Sequence, residues 1–507
     1  MGIYLPSGLQ IFGFISSILA LFLAWILVQF FAIPIWRMRQ YKGPEMRHYF
    51  FPFLGWLKRS KDYEVKMGDC IGAYRELAQK NKNIQLEVTN FANRVGLILL
   101  GSKVLKDFHS KQHCYQKYYF SKGVVELTGT GLVFAEGATW KNHRKIISSV
   151  FNFEFIKGNI PLIVNTTRDF LRETARISLE SVDIMSEIQK ITGEIVGRIF
   201  FGENLNNYKL NNQPLTLYLE DLVARQTMVL KRLPTAFLYF TGLNVEWDPC
   251  YRKLMNDVRE FRRLCAKIIQ DRKASKTNSK DMLGLLLETQ NLPNPEDRFS
   301  DEDIINEFAT FFIAGMDTTG HLITMALYLL HENPKHIERA KKEVQEIYNK
   351  QDIPSVESIS QMEIMHTILK ETLRMYTPAA GTLPRIVTED HELAGIKVKK
   401  GTFVRTNPFY NYANDEYFDE PEKFKPERWD KKENSELDSF VNIPFSAGSR
   451  NCIGQHLAII ESKIIMAEFL KMFDFKLTPE NYKLVMTFRF LYEPKEKIKM
   501  NLHKKFV

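Results

Sequence analysis

The chain has 507 residues, of which 45% are apolar and 25% are charged. These ordinary globular values exclude a largely disordered chain, a collagen and a polytopic transporter, and the length alone suggests about three domains. The net charge of +9 suits a membrane surface or an acidic protein. No basic run with interleaved aromatic residues stands out, so we expect no nucleic-acid partner. Five scattered cysteines without a CxxC motif argue against a disulfide framework and a structural zinc site.

The first 36 residues differ from the rest. They contain no Asp, Glu, Lys or Arg, and the apolar run at about 11–33 is long enough to cross a bilayer as one helix. We therefore expect an N-terminal membrane anchor over 1–36, with Arg37 and all that follows on the cytosolic side. A cleaved signal peptide is the alternative, which the lack of a basic segment before the apolar run disfavours.

The remainder is expected to be one body. Pro and Gly residues predict a hinge over 37–60, and no further boundary is visible within 61–507. Because the motifs between Trp140 and Gly454 must meet at one place, the body is interpreted as a single large domain rather than three.

One long helix is expected to cross the core of that domain. Ser300 and Asp303 form a capping-box pattern, an apolar run follows to Leu330, and Pro334 ends it. Short strands are predicted over residues 386–406, and a last helix from near Cys452 through Phe469. The chain should be mainly α-helical with a small β part.

The strongest chemical signal is the segment FSAGSRNCIG, which places Cys452 between a glycine-containing loop and a helix. The amides of a helix N-terminus favour negative charge, so we expect them to lower the pKa of the thiol. Arg450 could bind a carboxylate. On these residues alone, a reactive catalytic thiol and a redox sensor remain open.

A second signal lies in the long helix, in the segment AGMDTT. The Thr318 hydroxyl can reach the carbonyl of Ala314 and loosen the helix locally. Asp317 and Thr318 then make an acid–alcohol pair that can pass protons. The alternative is a packing notch of small residues.

The cysteine segment resembles the haem-ligating loop of the cytochrome P-450 family, at Phe445, Gly448, Arg450, Cys452 and Gly454. The resemblance implies a single haem-thiolate fold and haem b, with Cys452 as the iron ligand. It also implies that the AGMDTT segment activates dioxygen.

Further motifs resemble those of the same family and occur in the same order along the chain. Glu371 and Arg374 resemble its buried Glu-x-x-Arg pair, and Arg428 the third member. Trp140 and Arg144 resemble helix residues that contact a haem propionate, and Arg385 lies where another propionate contact is often found.

By this resemblance the protein is a monooxygenase that inserts one atom of dioxygen into a lipophilic small molecule. Electrons would come from NADPH through a reductase flavoprotein, with cytochrome b5 as a second candidate donor. The basic residues Lys141, Arg144 and Lys145 could meet that acidic partner. The location implied is the endoplasmic reticulum membrane, with a cytosolic catalytic domain.

Two other functions are open at this stage. A haem-thiolate isomerase or dehydratase of peroxides would need no dioxygen, and such enzymes tend to lose the acid–alcohol pair. A non-enzymatic membrane haem sensor would need Cys452 but not Asp317 and Thr318. The resemblance places substrate selection after about Val104, around Pro214–Leu243 and near Ala379–Pro384; which lipophilic compound binds there is left open.

Overall fold

The computed structural model describes residues 8–52, 54–91, 93–118, 122–230, 232–275, 281–430 and 437–505. Helices dominate, which confirms the predicted mainly α class with a small β part. The α-helices are α1 (Gly8–Leu27), α2 (Ile33–Met38), α3 (Trp56–Met67), α4 (Gly72–Lys80), α5 (Ser102–Ser110), α6 (Lys122–Thr128), α7 (Gly137–Ile147), α8 (Phe153–Ile177), α9 (Ile184–Phe201), α10 (Leu215–Leu230), α11 (Leu233–Thr241), α12 (Pro249–Ser275), α13 (Met282–Thr289), α14 (Asp301–Glu332), α15 (Pro334–Tyr348), α16 (Val356–Ser360), α17 (Glu363–Tyr376), α18 (Phe409–Tyr412) and α19 (Gln455–Met472).

The strands are short, and several join segments distant in sequence. They are β1 (Met46–His48), β2 (Leu86–Phe91), β3 (Arg94–Leu99), β4 (Tyr115–Lys117), β5 (Val182–Asp183), β6 (Lys209–Leu210), β7 (Gln213–Pro214), β8 (Arg385–Val387), β9 (His391–Leu393), β10 (Ile396–Val398), β11 (Phe403–Thr406), β12 (Phe473–Thr478), β13 (Met486–Phe488), β14 (Tyr492–Pro494) and β15 (Lys499–Lys504).

The chain divides into two compact units. Unit 1 comprises Met1–Gln116 and Thr382–Glu416, and unit 2 comprises Lys117–Gly381 and Tyr417–Val507. The division expected from sequence, into an anchor, a hinge and one body, stays a prediction.

Unit 1 is built on a mixed sheet with the strand order β1-β2-β3-β11-β8-β4. β2 and β3 form an antiparallel pair, whereas β1 runs parallel to β2 and β11 runs parallel to β3. Every residue of β2 is buried, so this strand lies in the core of the unit. The small strands β9 and β10 pair separately.

The N-terminal helix belongs to unit 1 and is longer than expected. α1 leads through a π-helical turn at Val28–Ala32 into α2, so the helix passes Pro34 and ends at Met38. The π-helical turn before Pro34 changes the local hydrogen-bond pattern, so the helix can accommodate a residue that has no amide to donate. Phe12–Met38 is long and apolar enough to cross a membrane, the one such helix in the described part of the chain.

The end of this helix packs onto the unit. Phe30 and Met38 are buried, and Tyr41, only 2% exposed, hydrogen-bonds through its hydroxyl to Thr402 Oγ1 at 3.1 Å. The segment 37–60 thus contains α2's last residues, β1 and the start of α3.

The long helix α14 organises unit 2. Ser300 and Asp303 form the expected capping box, and α15 begins at Pro334. α14 crosses α9 closely because glycines face the partner helix. A Cβ on Gly315 would lie 2.6 Å from Val196 Cγ2, and one on Gly320 would lie 2.9 Å from Gln189 Cγ. Distances under 3 Å leave no room for a side chain, so these glycines permit the crossing.

Candidate active site

The loop before Cys452 is closed by backbone geometry. Ser446 and Gly448 adopt left-handed conformations, with φ of 62° and 70°. The Cys452 amide donates to the Phe445 carbonyl at 2.9 Å, which folds the loop back on itself. α19 begins at Gln455, so Cys452 precedes its first turn.

Cys452 is exposed, although enough protein surrounds its thiol for desolvation to act on it. Burial raises its pKa, against smaller lowering effects from the Gly454 amide and the Arg144 guanidinium. The expectation that the helix start would lower this pKa is therefore wrong in its net direction, because desolvation outweighs the amide. A thiol that is enclosed but open on one side suits a metal ligand, since a metal ion deprotonates the thiol it binds.

Arg450 is fixed by three contacts on one side of the loop. Its Nη1 donates to the Ala135 carbonyl at 2.7 Å, and its Nη2 pairs with Glu136 Oε2 at 2.8 Å. Its guanidinium carbon lies 3.9 Å from the centre of the Trp140 ring, a cation–π contact.

Arg144, one turn after Trp140 on α7, holds the other side. Its Nη1 and Nη2 donate to the carbonyl and the side-chain oxygen of Asn451, each at 2.9 Å. The structure thus brings Trp140, Arg144 and Arg450 together beside Cys452. Glu136 and Asn451 were missed, because nothing in their spacing marks them as partners of distant arginines.

Arg385, expected to be a propionate contact, lies on β8 in unit 1 and is 5% exposed. That assignment stays a prediction.

The middle of α14 presents one accessible face in an otherwise buried stretch. Ala314 is exposed and Thr318 is half-buried, while the flanking Ile313, Met316 and Thr319 are buried. The Thr318 hydroxyl donates to the Ala314 carbonyl at 2.7 Å, as expected. A small alanine and a hydroxyl one turn apart leave room for a flat ligand against this face.

Gly315 does not belong to that face. A side chain on Gly315 would point at Val196 of α9 and not into that face. Gly315 therefore serves helix packing.

Asp317 is buried beside Thr318 and accepts a hydrogen bond from Gln189 Nε2 at 3.2 Å. Burial, with smaller effects from Glu220 and Glu493, raises the pKa of Asp317 to about 8. The carboxyl is therefore mostly protonated at neutral pH and can give up a proton.

Two histidines lie near these motifs in the sequence, His143 and His456. His143 is buried, and its Nδ1 lies 2.8 Å from Glu307 Oε1, while Glu307 Oε2 accepts the Leu132 amide at 3.0 Å. His143 is thus a satisfied core histidine, and His456 is exposed.

The Glu-x-x-Arg motif forms the expected buried cluster. Glu371 accepts Arg374 Nε and Nη2 at 2.9 and 2.8 Å, and Arg428 Nε at 3.0 Å. It also accepts the Lys425 amide at 3.1 Å and Trp429 Nε1 at 2.8 Å. The tryptophan contact was not anticipated, and its indole N–H gives Glu371 one more donor.

Known proteins resemble this chain along most of its length. A family model described as Cytochrome P450 matches residues 75–501. A cytokinin hydroxylase of Arabidopsis thaliana is 30% identical over 376 residues, which cover 71% of this chain and 70% of that protein. Cytochrome P450 4V2 of Mus musculus is 27% identical over 404 residues, covering 75% of this chain and 73% of that protein.

The fold is shared with a solved structure. The crystal structure of a cytochrome P450DA heme domain matches with a TM-score of 0.75, over 88% of this chain and 95% of that chain, at 19% identity. Since the family model spans most of the sequence and relatives match along most of their own length, the chain belongs to the cytochrome P450 family of haem-thiolate monooxygenases.

Proposed function

We propose that Cys452 is the haem-iron ligand of this monooxygenase. The observation that carries the proposal is an exposed cysteine in a closed loop, with Arg144 and Arg450 fixed by hydrogen bonds beside it. The residues fit haem: the Cys452 thiol would hold the iron, and the Arg450 guanidinium against the Trp140 ring would hold a propionate.

Haem bound there would supply dioxygen activation, with thiolate donation favouring O–O cleavage. The chain's own part is to hold and move protons. Thr318 keeps a hydroxyl on the accessible face of α14, and Asp317 stores a proton next to it. Gln189 orients the Asp317 carboxyl by its hydrogen bond.

The substrate proposed is a lipophilic small molecule, taken from the membrane that the N-terminal helix enters. Support comes from α10, α11 and the residues after them, where Met228, Leu233, Phe237 and Leu243 expose large apolar side chains. Such side chains suit a lipid surface and an oily ligand. The membrane proposed is that of the endoplasmic reticulum.

The proposed electron donor is an NADPH-dependent reductase flavoprotein. Lys141 and Lys145 are exposed one turn apart on α7, so they share a face that an acidic partner could contact. Arg144 was also expected on this surface, but it binds Asn451 and is half-buried.

Turnover with purified reductase tests the function. We expect NADPH and dioxygen to be consumed with formation of an oxygenated product, once a lipid panel has identified a ligand by its haem spin shift. Turnover of a hydroperoxide without NADPH or dioxygen would instead indicate the isomerase function, and haem binding without any turnover would indicate a sensor.

A further inference from the structure

At the edge of the unit 1 sheet, three side chains of the types that bind zinc converge. His113, Cys114 and Glu389 each offer one ligand atom, and these three atoms all lie within 4.8 Å of one another. Neighbouring ligands of a tetrahedral zinc ion are about 3.5 Å apart, given zinc bonds of roughly 2.0–2.3 Å. His113 and Glu389 are exposed, so ordinary side-chain rotation can close the remaining distance.

The backbone that carries these side chains is already fixed. The Cys114 amide donates to the Lys111 carbonyl at 3.0 Å, and the Thr388 amide donates to the Cys114 carbonyl at 2.9 Å. The second bond ties the residue before Glu389 directly to Cys114. Little ordering would therefore be needed on binding, because only two exposed side chains move.

Neighbouring contacts strengthen this arrangement. His391 binds the Glu389 carbonyl through Nδ1 at 3.0 Å and the Tyr115 hydroxyl through Nε2 at 2.6 Å. The turn that bears Glu389 is thereby held to the residue after Cys114.

Two lysines near the cluster are paired with carboxylates, so their charge does not prevent a cation from binding to it. Lys111, which acts electrostatically on Cys114, is paired with Asp107 at 2.9 Å. Lys399 is paired with Asp390 at 2.7 Å. Both ammonium groups thus have a carboxylate partner other than Glu389.

We propose that His113, Cys114 and Glu389 form a binding site for a zinc-class divalent cation, with water as the fourth ligand. Thiol, imidazole and carboxylate together select zinc over magnesium or calcium, which prefer all-oxygen sites. Binding forms the metal–sulfur bond, releases the thiol proton to water and changes no oxidation state. The ion would join the segment before β4 to the turn after β8. A search of the sequence for closely spaced metal ligands such as CxxC could not find this site, because Glu389 is distant in sequence from His113 and Cys114.

Metal analysis of the full-length, haem-loaded protein tests the proposal. After chelator treatment, dialysis against zinc chloride should leave one zinc per chain, bound with micromolar or tighter affinity. X-ray absorption at the zinc edge should show one sulfur neighbour at about 2.3 Å and nitrogen or oxygen neighbours at about 2.0 Å. The zinc edge is separate from the iron of the haem, so the two metals do not interfere.

Variants identify the ligands. His113→Gln, Cys114→Ser and Glu389→Gln should each weaken zinc binding by about tenfold or more. The matched controls His48→Gln, Cys250→Ser and Glu392→Gln, all at exposed positions, should bind zinc like the wild type. The two ligand variants at exposed positions keep the test valid even if Cys114→Ser misfolds. Zinc binding that survives those two changes, or a zinc spectrum without sulfur, would overturn the proposal.

Discussion

Thr318 differs from other threonines of α14 in facing accessible space while bonding back to its own helix. In Thr318→Ala the hydroxyl is lost, and we expect product formed per NADPH to fall about tenfold, with peroxide released instead, because general acid catalysis contributes at least that much. Haem content should not change. Thr324→Ala is the matched control, since Thr324 makes the same bond to Gly320 at 2.8 Å in a buried position. Equal uncoupling in both variants would refute the proton-delivery role.

The raised pKa of Asp317 predicts that the product yield depends on pH. Its acid form predominates below about pH 8 and is lost as the pH rises through that value. Product yield should therefore fall on the alkaline side with a midpoint near pH 8. In Asp317→Asn, yield at neutral pH should drop about a hundredfold and the alkaline fall should disappear. The control Glu302→Gln lies exposed on the same helix. If the product yield of Asp317→Asn still fell as the pH rose through 8, a group other than Asp317 would be responsible for the fall.

The same carboxyl affects stability. Its folded pKa lies above the ordinary value of 3.8, so the folded state holds the proton more tightly than the unfolded state does. Stability must then decline as the pH rises from about 4 towards 8. Asp317→Asn should show a smaller decline over that range.

Some single residues could be predicted from sequence and others could not. The positions of Cys452, Arg450 and Thr318 follow from local segments whose geometry is set by their immediate neighbours. Glu136, by contrast, becomes a partner of Arg450 only through folding. The direction of the Cys452 pKa depends on burial, which no short segment determines.

At the scale of elements, the crossing of α9 and α14 depends on Gly315. In Gly315→Ala the new methyl group would meet Val196, and we expect a loss of about 1–3 kcal/mol in the free energy of unfolding, as overpacking usually costs. Adding Val196→Ala should restore part of that loss. Gly158→Ala is the control, because no atom lies within 4 Å of a Cβ there. If the losses in unfolding free energy caused by Gly315→Ala and Val196→Ala simply add in denaturation experiments, the two sites do not touch.

The helices and strands predicted best from the sequence were those with a strong hydrophobic periodicity or with helix-capping residues. α14 was expected from its capping box and from Pro334, and it ends two residues beyond the expected Leu330. β2 and β3 were not anticipated, and the burial of the polar residues Glu87, Thr89 and Asn90 in β2 becomes visible only in the folded protein. The N-terminal helix was expected to stop near residue 33, but the π-helical turn before Pro34 lets it continue.

At the scale of the whole molecule, the N-terminal helix is proposed to hold the protein in a membrane. Leu19 and Leu23 are exposed one turn apart on it. The double variant Leu19→Arg/Leu23→Arg should abolish retention in carbonate-washed membranes, since each arginine at a bilayer centre costs about 2.5–3.5 kcal/mol. The control Ile177→Arg, at an exposed apolar position on α8, should leave retention in the membrane unchanged. Retention of the double variant would contradict insertion of this helix.

The central claim is that segments from Trp140 to Cys452 meet around one thiolate-ligated haem. The carbon monoxide complex of the reduced protein tests it most directly. We expect the wild type and Cys250→Ser, which removes another exposed thiol, to show the red-shifted Soret band of a thiolate-ligated haem. Cys452→Ser should lose that band. Its survival in Cys452→Ser, or its absence from the wild type, would contradict the assignment of Cys452 as the ligand.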